Sequence, residues 1–156
     1  MRLFTAVLAV MVLAASISCV AQDDRKHIVM KRANATASNA PFSEAVLAGN
    51  TLYISGHIGL DPATGKPGAT PEEEARLVME SFKRTIEAAG MTMDDLVSVQ
   101  VHCSDVDFYG AFNGVYKTYF HGNYPARAFL GSGKLLFNAR YEVMGIAVKK
   151  KPATSH

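Results

Sequence analysis

Apolar and polar side chains alternate along residues 96–103, with Val97, Val99, Val101 and Cys103 set against Ser98, Gln100 and His102. A period of two sends the two sets to opposite faces of an extended chain, so the segment is expected to be a strand with one face buried. Residues 75–89 keep a different period. Ala75, Val78, Phe82, Ile86 and Ala89 recur at every third or fourth position, the spacing of a helix with one apolar stripe. Its start is marked by Thr70 as cap, Pro71 at the first helical position and Glu73 placed to complete a capping box; Glu72 and Glu74 suit the positive end of the helix dipole. Gly90 supplies the stop.

Elsewhere the pattern is shorter. Residues 42–47 and 51–55 are β-favouring runs joined by Ala48-Gly49-Asn50, which predicts a hairpin whose second strand ends at Gly56. Residues 27–32 read as a short edge strand, and 34–39, rich in Asn, Ala, Ser and Thr, as a loop. Asp105 can cap a second helix over 106–120. Its stripe of Phe108, Phe112, Val115, Tyr116 and Tyr119 is expected to be core rather than a ligand site. Strands over 126–130 and 140–148 complete an α+β chain, with two helices packed on one face of a mixed sheet.

The first 21 residues stand apart. Arg2 precedes an uncharged apolar run over 3–17, followed by small residues. This is the build of a secretory signal, and the run is shorter than the roughly 20 residues that span a bilayer. Cleavage after Ala21 predicts an exported protein, periplasmic or secreted; a cut before Cys19 would instead leave a lipid anchor, the one route by which a membrane would be a partner. The expected organisation is then a signal over 1–21, a polar leader and edge strand over 22–38, one domain over 39–150 and a flexible tail over 151–156. The whole chain carries a net charge of +2, too weak a field to argue for nucleic acid as a partner. The triplet Lys149-Lys150-Lys151 reads as a solvated end. If the signal is removed, Cys103 is the sole remaining cysteine and no internal disulfide can form.

The candidate chemistry is sparse. His57, His102 and His121 lack the paired spacing of metal ligands, and His27 and His156 lie near the ends, so no metal is expected. Nor does the chain hold a nucleophile elbow, a dinucleotide fingerprint or a phosphate-binding loop. Cys103 falls on the apolar side of its strand and reads as an inert thiol. Arg127 and Glu142 remain. Glu142 sits in the run YEVMGIAV, apolar on both faces, where a carboxylate needs a partner or a raised pKa. Two readings stay open at this point. The two side chains could form a structural ion pair, or they could frame a pocket in which the guanidinium grips a ligand carboxylate and the acid handles protons.

Four ordered segments then carry a resemblance: SGHIGLDPATGKPG from Ser55, IEAAGMTMDDLVSVQVHCSDVDFYGAFNGVYKTYF from Ile86, YPARAF from Tyr124 and YEVMGIAV from Tyr141. Together they resemble the RidA (YjgF) family of enamine/imine deaminases. The resemblance implies a chorismate-mutase-like fold assembled as a homotrimer, with clefts between subunits. It implies cofactor-independent hydrolysis of 2-imino acids to 2-keto acids and ammonia, Arg127 holding the substrate carboxylate and Glu142 positioning water. Asn113, Ser55 and Gly56 match further cleft positions. Phe42 and Phe129 depart from the family pattern, standing where it has a tyrosine and a cysteine, and bear on pocket size. A non-catalytic trimer of the same fold, binding small carboxylates or acting as a chaperone, is the alternative.

Overall fold

A computed structural model of the chain describes residues 24–30 and 40–150. The signal segment, Cys19, the loop at 34–39, the last residues of the first expected strand and the C-terminal tail lie outside the described residues.

Six strands form one sheet: β1 (Lys26–Ile28), β2 (Ala45–Ala48), β3 (Thr51–Ile58), β4 (Leu96–Cys103), β5 (Ala126–Gly131) and β6 (Tyr141–Val148), in the order β1-β2-β3-β6-β4-β5. The β4/β5 pair is parallel and the others are antiparallel. Two helices make the crossovers, α1 (Pro71–Ala88) between β3 and β4, and α2 (Tyr109–Tyr116) between β4 and β5. Strands β3, β4 and β5 run the same way and both crossovers step in one direction across the sheet. Because such crossovers are right-handed almost without exception, both helices land on the same face. The expected α+β architecture is the one observed.

That shared face is the core. Ala75, Val78, Phe82 and Ile86 of α1 are buried against Leu52, Val99, Val101, Val143 and Ala147, none more than 1 % exposed. The other face carries no helix. Tyr53, Gln100, Ala126, Ala128 and Leu130 are exposed there, and Ser98, His102, Glu142, Met144 and Ile146 are half-buried.

Several expectations need correction. The hairpin's first strand begins at Ala45 rather than at residue 42. Its second runs through Gly56 to Ile58, because a bulge between Ile54 and His57 absorbs the glycine instead of ending the strand. A second irregularity, between Leu96 and Ser98, breaks the alternation in β4, so Leu96 is buried and Val97 is 47 % exposed. The second helix is α-helical only over Tyr109–Tyr116, flanked by 3₁₀ turns at Val106–Phe108 and Lys117–Tyr119. Gly110, Gly114 and several aromatic residues lower its intrinsic helix propensity, and packing rather than propensity holds it. Thr70 does cap α1, accepting from the Glu73 backbone N–H at 3.1 Å. Glu73 reaches back one residue further than a capping box requires, to the Ala69 N–H at 2.9 Å.

Glu74 differs most from expectation. Beyond its place at the positive end of the helix dipole, it is fully buried. Its carboxylate accepts from the backbone N–H of Arg140 at 2.5 Å, from Arg140 Nη1 at 2.7 Å and from the Tyr141 N–H at 3.2 Å. Arg140 also donates to the carbonyls of Gly68 and Ala69. This knot ties the start of α1 to the start of β6.

Cys103 is buried, as its place in the alternation implied, and its Sγ–H donates to the Asp105 carbonyl at 2.9 Å. Burial pushes the thiol pKa up, which starves it of the reactive thiolate. A thiol reagent applied to the folded chain at pH 7 should therefore leave the Cys103 peptide unmodified by mass spectrometry, and should label it on unfolding. Rapid labelling of that peptide in the native protein would refute the buried assignment.

Candidate active site

Strand β5 is a sheet edge, and its pairing with β4 sets Arg127 beside Val99 and Phe129 beside Val101. Residues paired across a ladder share a face, so Arg127 and Phe129 point to the helix side. There the Arg127 Nη2 donates to Asn113 Oδ1 of α2 at 2.7 Å. The guanidinium carbon lies 4.5 Å from the centre of the Tyr116 ring and 5.9 Å from that of Tyr109, within cation–π range. Phe129 packs edge-on against Tyr109 and Phe112, with ring centres at 5.0 and 5.7 Å, and so backs the wall of the site.

The result is a cleft of about 340 Å³ lined by Tyr109, Asn113, Tyr116, Tyr124 and Arg127 among others. Two polar atoms of its lining residues, Arg127 Nη1 and the Tyr116 hydroxyl, are buried and have no hydrogen-bond partner among the described residues. Burial pushes the Tyr116 hydroxyl up to about 12, an effect that Arg127 opposes and Tyr124 reinforces. A guanidinium nitrogen with no acceptor among the described residues keeps an N–H that an anion could accept.

Glu142 is elsewhere. On β6 it pairs with His102 on one side and Ile58 on the other, which puts it on the open face, half-buried rather than enclosed. Strand β4 lies between it and Arg127, and the two side chains leave the sheet in opposite directions. The structural Arg127–Glu142 ion pair within one chain is therefore excluded.

What Glu142 does have is Gly56. A Cβ added there would fall inside contact distance of the Glu142 carboxylate, so the missing side chain makes the space the acid occupies. Ser55, next to it in the bulge, donates from Oγ to the Ser43 carbonyl at 2.7 Å, and Phe42, the residue before Ser43, is 52 % exposed. The sequence-predicted residues thus divide into two groups. Arg127, Asn113 and Phe129 stand on the helix side; Glu142, Gly56, Ser55 and Phe42 cluster about β3 and β6.

Tyr116 and Tyr109 were assigned to no site from sequence, the former being read as core. Tyr116 is core by burial, at 3 % exposed, yet it also floors the cleft. The available signal was a hydroxyl on an otherwise apolar stripe, since a buried tyrosine normally finds a partner for it. Among the described residues, no three His, Cys, Asp or Glu side chains stand close enough to hold a metal ion.

Comparison with known proteins adds the following. Residues 32–149 match the family model described as Endoribonuclease L-PSP. A 2-iminobutanoate/2-iminopropanoate deaminase from Rattus norvegicus is 37 % identical over 123 residues, covering 78 % of this chain and 89 % of that protein. Among solved structures, a putative endoribonuclease from Thermotoga maritima is 36 % identical with a TM-score of 0.72, covering 81 % of this chain and 99 % of that one. E. coli TdcF with bound serine is 29 % identical with a TM-score of 0.72, covering 80 % of this chain and 100 % of that one.

Proposed function

This chain belongs to the Endoribonuclease L-PSP family, the RidA (YjgF) family of its sequence resemblance, and from that premise we propose that it hydrolyses 2-imino acids to 2-keto acids and ammonia. The observation that carries the reading is Arg127, held by Asn113 and two tyrosine rings with Nη1 buried and free of any partner among the described residues. A planar fork of that kind matches a carboxylate. Serine, the small amino acid named with TdcF, has the same carboxylate beside a nitrogen-bearing carbon.

The chemistry then needs little more. With its nitrogen protonated, the imine carbon is electrophilic. Water adds to that carbon as Glu142 takes a proton from the water; that proton passes to nitrogen, and as the C–N bond breaks and ammonia leaves, the new hydroxyl gives its remaining proton to Glu142 and becomes the ketone oxygen. Fixing the carboxylate and aiming the water account for most of the gain, since both convert a bimolecular encounter into a positioned one.

Glu142 and Arg127 of one chain face away from each other, so a complete site calls for Arg127 of one copy opposite Glu142 of the next. Such a contact is head-to-tail, and head-to-tail contacts close into a ring when the rotation between copies divides a full turn. The uncovered sheet face, with Met144 and Ile146 half-buried and Ala128 and Leu130 exposed, supports a partner there. We place three copies in the ring, as the resemblance implies, and light scattering on the eluting protein should return three times the chain mass. A monomeric mass would remove the composite site.

Two further outcomes are expected. Gly56→Ala should displace the Glu142 carboxylate, and a misplacement on the scale of 1 Å can cost roughly 10²-fold. Imine-hydrolysis assays should show that loss mainly in kcat, with the circular dichroism unchanged; full activity would detach Glu142 from the reaction. Export is likewise part of the proposal. The mature protein should begin at Gln22 by intact mass, whereas a lipid-modified Cys19 would establish the anchored form instead.

A further inference from the structure

We infer that the Tyr116 hydroxyl is a second hydrogen-bond donor to the carboxylate of the bound substrate, acting beside Arg127. This rests on the imine-deaminase reading of the cleft and adds to it a residue that the motif resemblance does not assign.

The observations are geometric. Tyr116 Oη and Arg127 Nη1 are both buried, both without a hydrogen-bond partner among the described residues, and their side chains line one cleft. The two side chains are held together by the guanidinium lying over the Tyr116 ring, its carbon 4.5 Å from the ring centre. The ring itself has no freedom to turn the hydroxyl elsewhere. Phe112 stacks on it with centres at 5.7 Å, Phe120 lies at 4.8 Å, and the residue is 3 % exposed.

A phenylalanine would fill the same volume and leave no stranded oxygen, and a buried hydroxyl with no partner detracts from folding. What the oxygen contributes must therefore come when the cleft is filled. A carboxylate has about four lone-pair positions on two oxygens. Arg127 has already given one N–H to Asn113, and a phenol beside the fork supplies a further donor. Its proton is available for this purpose, because burial keeps the hydroxyl un-ionised far above neutral pH. Tyrosine also outperforms a mobile serine or threonine here, since a packed ring spends no side-chain entropy on the contact.

The test uses the full chain and Tyr116→Phe. Three quantities are measured: the Kd of 2-oxobutanoate by calorimetry, KM and kcat for imino acids generated in situ, and the thermal midpoint. Loss of one hydrogen bond to a charged group should raise Kd and KM together by about 10- to 100-fold. Because substrate and transition state share the carboxylate, kcat should hardly move. The thermal midpoint should not fall, and 2-oxobutanamide, which lacks the anionic carboxylate, should show little difference between the two proteins. Equal Kd for 2-oxobutanoate in wild type and variant overturns the assignment while leaving the deaminase reading intact. A lowered midpoint with unchanged Kd also overturns it, by revealing a structural partner for the hydroxyl. If wild type neither binds the keto acid nor hydrolyses any imine, the deaminase reading itself falls and takes this assignment with it.

Discussion

Replacing Arg127 with alanine should return imine hydrolysis to the uncatalysed rate. Nothing else described in the cleft can hold a carboxylate as a charged fork. Lys117 brings only a point charge, Asn113 only an amide and Tyr116 a single hydroxyl. Hydrogen bonds to charged groups contribute about 1.5–3 kcal/mol each. Loss of a two-point clamp should therefore lower kcat/KM by at least about 10²-fold, equivalent to roughly 3 kcal/mol of transition-state stabilisation. Arg127→Lys keeps the charge but not the fork, and should fall between the two. The assay generates 2-imino acids with an amino-acid oxidase and follows imine loss in the presence of each protein. If wild type accelerates none of them, the deaminase reading fails and Arg127 is left as the centre of a binding site without turnover. If wild type is active and the alanine variant equally so, the substrate carboxylate is held elsewhere.

The largest effect on stability should come from Glu74→Ala. Its carboxylate is fully buried and receives two backbone N–H groups and the Arg140 guanidinium. Removing the acid leaves both backbone N–H groups without an acceptor and takes from Arg140 its counter-charge, leaving the guanidinium only the carbonyls of Gly68 and Ala69. Breaking a buried pair from one side costs about 3–5 kcal/mol, a large share of the roughly 5–15 kcal/mol that holds a domain folded. Glu74→Gln retains an acceptor oxygen and should cost less. Urea unfolding measures both, and a change below about 1 kcal/mol for the alanine variant would show that the knot is not a principal tie. The consequence reaches function as well. Arg140 immediately precedes β6, two residues before Glu142, so loosening this anchor should also blur the position of the acid and lower the activity of whatever protein remains folded.

How much of this could be read from the sequence depended on how local the cause was. The cap at Thr70, the proline at Pro71 and the stop at Gly90 mark α1 by side chains that act on neighbouring backbone, and α1 forms between them. The alternation over 96–103 likewise gave β4 its bounds. Gly56 was misread as a strand end because a bulge depends on the partner strand: the extra residue is measured against β6, more than 80 positions later in the chain. Val97 was misassigned to the buried face for the same reason. Glu74 looked like a dipole-facing acid because its real partner, Arg140, lies 66 residues away.

By itself, then, the sequence determined most of the elements, the α+β class with both helices on one face and, through its ordered motifs, the family, whose resemblance put forward Arg127, Asn113, Gly56 and Glu142 as candidate site residues. The elements and the class depend on periodicity, on caps and on residue types, all of which are written within a few positions. Tertiary structure alone decided which of those residues meet. Strand order set Arg127 and Glu142 one strand apart, and pleat parity sent them to opposite faces. Packing of the aromatic stripe placed a buried phenol beneath the guanidinium. A side chain's direction follows from its own strand, but its neighbours follow from strands whose order and register no local pattern encodes.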